Sequence, residues 1–143
     1  MNLFWLQASG CGGCTQSMLG GDARHGVLEQ LASAGLEFVA HPALREESGE
    51  EALAVMRDAA SGALPIDILC VEGAMLRGPN GSGRFHMLAG TGEPMIAWVR
   101  RLAEQARYVL AIGSCTAFGG INASGENLTE ACGLQYDGSE RGG

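Results

Sequence analysis

The chain has few charges, and fewer positive ones than negative. Its 143 residues include 9 Lys or Arg against 16 Asp or Glu, a net charge of −7. That balance excludes nucleic acid as the main partner. There is no run approaching the roughly 18 apolar residues of a membrane span. No basic, hydrophobic leader precedes the apolar run at Leu3, and there is no twin-arginine leader, so export is not expected. The expected location is the reducing cytoplasm, where five cysteines serve as ligands or core thiols rather than disulfides. The sequons at Asn122 and Asn127 then carry no glycosylation meaning. Nucleotide signatures are missing as well. Gly10-Cys11-Gly12-Gly13-Cys14-Thr15 lacks the last glycine of a dinucleotide fingerprint. Gly78 to Phe85 has the spacing of a phosphate loop without its Lys-Ser/Thr. NAD and ATP are therefore not expected ligands. No histidine sits at zinc-finger spacing, and no repeats occur.

What is present is an alternation of apolar runs and helical patterns. Asn2–Gln7 reads as a first strand. A helical pattern from Thr15 to Ser33 follows, interrupted at Gly20-Gly21, with Asp22 as a cap for its second part. Val27, Leu28 and Leu31 share one face, and Gly35 stands as a C-terminal cap. Leu36–His41 is a second strand, closed by Pro42. Ser48 and Glu51 have the spacing of a capping box before a helix to about Ser61, with Ala52, Val55, Met56 and Ala59 as its apolar stripe. Ile66–Val71 is a third strand, apolar enough to be covered on both faces. Arg77–Gly92 is a long polar loop. A helix from Glu93-Pro94 leads to a fourth strand, Tyr108–Ile112, and a further helix is expected just after Cys115. From Gly119 the periodicity dissolves into Gly, Asn, Ser, Glu and Asp. The expected fold class is α/β, a doubly wound parallel sheet. Residues 1–118 form the domain and residues 119–143 a polar, Gly-rich tail.

Right-handed crossovers put the ends of parallel strands at one edge, so Cys11, Cys14, Glu72 and Cys115 can converge there. A C-x-x-C pair alone fits a redox dithiol, half a zinc site or part of a cluster site. Three details favour a cluster. Gly10, Gly12 and Gly13 leave backbone N–H groups free to face sulfur. Cys115 lies in a second Gly-rich turn, Gly113 to Gly120, at the same edge. The zinc-finger histidines are missing. Each residue also has a plainer role. Cys115 could be a small buried hydrophobe, and Glu72 a solvated or capping loop carboxylate. Cys70, between Leu69 and Val71, reads as core. The role of Cys132 is open. His25, His41 and His86 read as structural or exposed, and Trp5 and Trp98 as core or interface.

These residues resemble the small subunit of a [NiFe]-hydrogenase. The likeness rests on Trp5-Leu6-Gln7, Cys11-Gly12-Gly13-Cys14-Thr15-Gln16-Ser17, Val71-Glu72-Gly73-Ala74, and Gly113-Ser114-Cys115 with Gly119-Gly120. It implies a flavodoxin-like domain holding a proximal [4Fe–4S] cluster that takes electrons from the Ni–Fe centre of a partner large subunit. By position, Cys11, Cys14 and Cys115 would be cluster ligands and Glu72 the glutamate beside the cluster, a possible proton relay. The stretch Cys11–Leu19 and the tail Asn127–Gly138 are most similar to cytoplasmic, hydrogen-sensing members. That likeness implies a signalling kinase or another electron acceptor downstream. Gly13 and Gly120 stand where oxygen-tolerant members carry extra cysteines, which implies an ordinary cubane. The family's fourth ligand lies in a later Gly-Cys-Pro motif. The chain therefore resembles an N-terminal fragment, with Cys132 the less favoured substitute as fourth ligand. The alternatives are a small subunit of a soluble cofactor-reducing hydrogenase, a zinc-binding structural module on the same thiols, and, ranked last, a flavin binder.

Overall fold

The computed structural model describes residues 1–21 and 26–135. In chain order the elements are β1 (Asn2–Gln7), α1 (Gly13–Leu19), α2 (Val27–Ser33), β2 (Glu37–Ala40), α3 (Glu50–Ser61), β3 (Ile68–Glu72), β4 (Met75–Leu76), β5 (Met87–Leu88), β6 (Glu93–Pro94), α4 (Met95–Gln105), β7 (Tyr108–Ile112), α5 (Gly113–Phe118) and β8 (Ala131–Cys132). Four strands pair in parallel in the order β2-β1-β3-β7. This is the order of a doubly wound sheet whose direction of growth reverses between β1 and β3, the place where such sheets hold ligands.

The two central strands are almost wholly apolar because both of their faces are covered. Phe4, Leu69 and Val71 are essentially solvent-free. One face packs against α3 and α4 through Met56, Ala59, Trp98, Val99 and Leu102. The other buries Leu3, Trp5 and Cys70, with Met18, Leu36 and Phe38 against them. Among the described residues no helix is long and apolar enough to cross a membrane.

Several local expectations need correction. The interruption at Gly20 is present, with α1 ending at Leu19 and α2 starting at Val27, but the expected apolar face of α2 is not buried. The Asp22 cap lies outside the described residues. Gly35 does end α2: its own N–H and that of Leu36 return to Ala32 and Leu31 in a Schellman pattern. The Ser48–Glu51 capping box does not form. Gly49, at φ 56°, is the N-cap of α3, and Glu51 N–H reaches the backbone carbonyl of Ser48 rather than its side chain. The buried stripe of α3 includes Leu53. The loop after β4 contains a small hairpin, β5 with β6. The segment beyond Phe118 carries structure too. A 3₁₀ turn spans Gly120–Ala123, and β8 pairs antiparallel with β4. Leu134 N–H bonds the Thr116 carbonyl, and Asn122 Nδ2 donates to the Ser9 carbonyl.

Candidate metal centre

Two turns at the C-terminal edge of the sheet carry the three thiols, Cys11 and Cys14 after β1 and Cys115 after β7. After β1, Ser9 and Ala74 exchange backbone hydrogen bonds, which ties the first loop to the end of β3. Gly12, at φ 75°, then turns the chain into α1, whose first turn presents Cys14 and Thr15. At the far side β7 runs directly into α5, so Cys115 lies inside the first turn of that helix rather than before it. Cys14 likewise lies inside α1. Gly113 shows how closely the two thiol-bearing turns meet, and Gly120 how tightly the second one folds on itself. A Cβ on Gly113 would fall on the Cys14 sulfur, and one on Gly120 would come 2.8 Å from the Cys115 sulfur. The sulfurs thus occupy space that side chains would fill at ordinary positions. Cys11 is exposed, and Cys14 and Cys115 are half-buried.

Glu72 closes the floor of this edge. It is the last residue of β3, 3% exposed, and it accepts five hydrogen bonds. Cys14 N–H and Thr15 N–H donate to Oε1 at 3.1 and 3.2 Å. Trp5 Nε1, Gln7 Nε2 and Thr15 Oγ1 donate to Oε2 at 3.1, 3.2 and 2.5 Å. Burial pushes the carboxyl upward, but the bonds from Thr15, Gln7 and Trp5 outweigh it and hold the group below the usual carboxylate range. The solvated-loop reading of Glu72 is therefore replaced by a buried, ionised clamp. It caps α1, whose own N-cap residue offers no side chain.

The thiols respond to this setting. Cys14 is pushed up by burial first, then by Glu72, Cys11 and Cys115. Bare thiolates repel one another there, and bound metal would relieve that repulsion. Cys70 is buried in β3 and pushed up to about 11 by desolvation, as expected of a core thiol. Cys132 is half-buried and packs against the α3–α4 cluster. It is not among the groups acting on Cys14.

Three thiols at one sheet edge fit an iron–sulfur cluster, whose irons take cysteine thiolates. Among the described residues no three His, Cys, Asp or Glu side chains close around one point. A cubane distributes its thiolates over separate irons, as the turns after β1 and β7 can. Cys11, Cys14 and Cys115 would hold it.

A family model described as NADH ubiquinone oxidoreductase, 20 Kd subunit, matches residues 11–141. The chain belongs to that family. It is 34% identical over 133 residues to the hydrogenase-2 small chain of Escherichia coli K12, covering 93% of this chain and 34% of that one. It is 30% identical to the periplasmic [NiFeSe] hydrogenase small subunit of Desulfomicrobium baculatum, covering 89% of this chain and 42% of the relative. The chain thus spans well under half the length of these relatives. The reduced, active Ni-Fe-Se hydrogenase from Desulfomicrobium baculatum superposes with a TM-score of 0.78 at 29% identity, over 94% of this chain and 49% of that one. The actinobacterial-type NiFe-hydrogenase from Ralstonia eutropha H16 gives 0.76 at 28% identity, over 93% and 41%. The likeness to hydrogenase small subunits and the parallel α/β fold both stand.

Sequence reasoning missed the residues that hold the site together. Trp5 reads from the sequence as core or interface and is buried, but its bond to Glu72 is not legible there, and Thr15, Gln7 and Thr116 have no role in that reading. Thr116 is fully buried, and its hydroxyl donates to the Gly73 carbonyl at 2.9 Å, fastening α5 to the turn after β3. A signal for two of them existed. Trp5 and Gln7 share a face of β1, and they stand beside Cys70 and Glu72 in the β1–β3 register.

Proposed function

We propose that the chain is the electron-transfer small subunit of a hydrogenase, using Cys11, Cys14 and Cys115 as three ligands of a proximal [4Fe–4S] cluster. The observation that carries this reading is the meeting of two turns bearing three thiols over a buried carboxylate at the C-terminal edge of the sheet. That constellation lies in a chain similar to hydrogenase small chains over 93% of its length. The bound cluster supplies one-electron storage. The protein's part is to fix it. Glu72 holds the Cys14 and Thr15 N–H groups in place, Thr116 anchors the Cys115 turn, and the glycines let backbone approach sulfur. A large subunit bearing the Ni–Fe centre is the proposed electron source. The similarity of Cys11–Leu19 to hydrogen-sensing members supports a sensing complex in the cytoplasm, with a signalling kinase or another electron acceptor downstream. The tail part of that likeness, Tyr136–Gly138, lies outside the described residues. Since Cys132 packs toward the core, the fourth ligand is proposed to come from outside residues 1–135.

The deciding experiment is anaerobic purification with the large subunit, followed by iron and acid-labile sulfide analysis and EPR of the reduced sample. About four irons with matching sulfide per proximal site are expected, falling sharply in Cys14→Ser. Zinc without sulfide would overturn the reading in favour of a zinc module. Unchanged iron in Cys14→Ser would overturn the ligand assignment.

A further inference from the structure

The segment Gly78–Phe85, spaced like a phosphate loop without its lysine, plays no part in the metal centre described above. Within it Pro79–Ser82 is a tight turn. Asn80 and Gly81 stand at φ 52° and 73°, and the Ser82 N–H returns to the Pro79 carbonyl at 3.1 Å. Positive φ at both central residues is the pattern of a type I′ turn, which Asn-Gly fills readily. Both residues are exposed, and a Cβ on Gly81 would meet nothing within 4 Å. The other asparagines, Asn2, Asn122 and Asn127, precede Leu, Ala and Leu. Their side-chain amides are engaged on Pro65, Ser9 and Ala131. Among the described residues no hydrogen bond holds the Asn80 side-chain amide.

Asparagine before glycine is labile for a steric reason, because no side chain crowds the glycine nitrogen as it approaches the asparagine Cγ. The Gly81 N–Asn80 Cγ bond forms, the Cγ–Nδ2 bond breaks, and ammonia leaves with the proton that Gly81 gives up. Water then opens the resulting imide at one of its two carbonyls, breaking that carbonyl's bond to nitrogen. One water is consumed and one ammonia released, and residue 80 becomes aspartate or isoaspartate. The native turn opposes the first step. Glu130, directly before β8, accepts the Asn80 N–H at 2.6 Å and the Gly81 N–H at 2.9 Å, one on each carboxylate oxygen. To react, the Gly81 nitrogen must lose its proton and swing toward Cγ. A neighbouring carboxylate disfavours that loss, and the two charge-assisted bonds hold the peptide in place. The same segment carries the backbone ties of the loop, Arg77 N–H to the Glu130 carbonyl at 3.1 Å and Gly78 N–H to the Thr129 carbonyl at 3.0 Å. We propose that Asn80–Gly81 is a site of spontaneous deamidation that Glu130 keeps closed, and that its conversion loosens the loop from the segment before β8. Isoaspartate adds one atom to the main chain of the turn, which those ties must absorb.

The test is incubation of the purified chain in mildly alkaline buffer, native and in urea, followed by tryptic mapping. Cleavage after Arg77 and Arg84 isolates residues 78–84, where Asn80 carries the sole side-chain amide. Expected in urea is deamidation at Asn80 ahead of Asn2, Asn122 and Asn127, and in the native chain a rate at Asn80 lower by about tenfold or more. Glu130→Ala should raise the native rate by about tenfold, and Glu130→Gln, which keeps one acceptor but no charge, should fall between. The aged native chain should exchange the Arg77 and Gly78 amides faster than fresh chain. No preference for Asn80 in urea, or no faster reaction in either Glu130 variant, would overturn the proposal. A slower reaction in the variants would make Glu130 a base that promotes the attack, the reverse of the role assigned. Amide exchange of β1 and β3 is followed in both variants, and a faster rate that merely tracks lost protection there would overturn the assignment to Glu130. Unchanged exchange at Arg77 and Gly78 after ageing would overturn the coupling to β8.

Discussion

The two faces of the sheet are built on different principles. The face under α3 and α4 gathers twelve buried residues into one apolar cluster, including Phe4, Leu69, Val71 and Leu102. The face under α1 and α2 buries three, Leu3, Trp5 and Cys70. Tyr108 and Leu110, which stand beside Ile68 and Cys70 on that second face, are 51% and 45% exposed. The thin face instead carries Trp5, Gln7 and Glu72, joined by directional bonds. Apolar area holds the fold on one side. On the other, a polar network gives up packing to fix the position of a charge and a thiol-bearing turn. Stability and chemistry are thus concentrated on opposite sides of the same strands.

Substitutions can break or sharpen this contrast. The largest effect belongs to the thick face. Leu102→Ala, at a site with no exposure, should cost about 2–5 kcal/mol in denaturant unfolding, and a loss under 1 kcal/mol would show that α4 is not a main support. Glu72→Ala should come next. It strands five donors and should cost about 1.5–3 kcal/mol while lowering iron retention, whereas a core substitution of equal cost should leave iron per folded chain unchanged. The cysteines separate the roles further. Cys70→Ser buries a hydroxyl and should cost about 1–3 kcal/mol with iron retained, while Cys14→Ser should lose iron at little cost in stability. Similar iron in the two variants would erase the distinction.

Acid should act mainly where histidine is buried. His41 is held below its usual value by desolvation, and so is half-buried His86. The unfolded chain takes up these protons first, so their contribution is complete above about pH 6.5 and is lost as pH falls from there toward the lowered native values. His41→Gln should remove part of that slope, leaving the part due to His86. An unchanged pH profile of the melting temperature would exclude His41 as a source. The smallest effect should come from the thin face's outer helix. Leu28→Ala, on a helix that buries nothing, should fall within about 0.5 kcal/mol.

How much of this was legible depends on the range of the interactions. The two central strands are readable because burial on two faces leaves an unbroken apolar run, and β2 and β7 because their shorter apolar runs are bounded by turn residues, although Tyr108–Leu110 are exposed. The starts of α1 and α5 lie up to a turn earlier than the pattern indicates, since neither N-cap residue, Gly12 or Ile112, has a capping side chain. The pairing of β8 with β4 was illegible, because a two-residue strand is set by tertiary contact. Gly133, for example, lies directly against the Ala117 carbonyl. The thiols and Glu72 could be brought to one edge by topology alone. The five-donor clamp could not, since its donors come from residues 5, 7, 14 and 15 and meet only when β1, α1 and β3 are in register.

The strand order has one more effect. Cys11 and Cys14 hang from a central strand, whereas Cys115 hangs from β7, which is paired on one side only among the described strands. Edge strands with exposed side chains open at lower free energy than central ones. When β7 peels away, the site is left with two thiols on a rigid half. A group that bridges Cys14 to Cys115 would rivet a central strand to an edge strand, and by mass action its binding is expected to slow the amide exchange of Tyr108–Ile112.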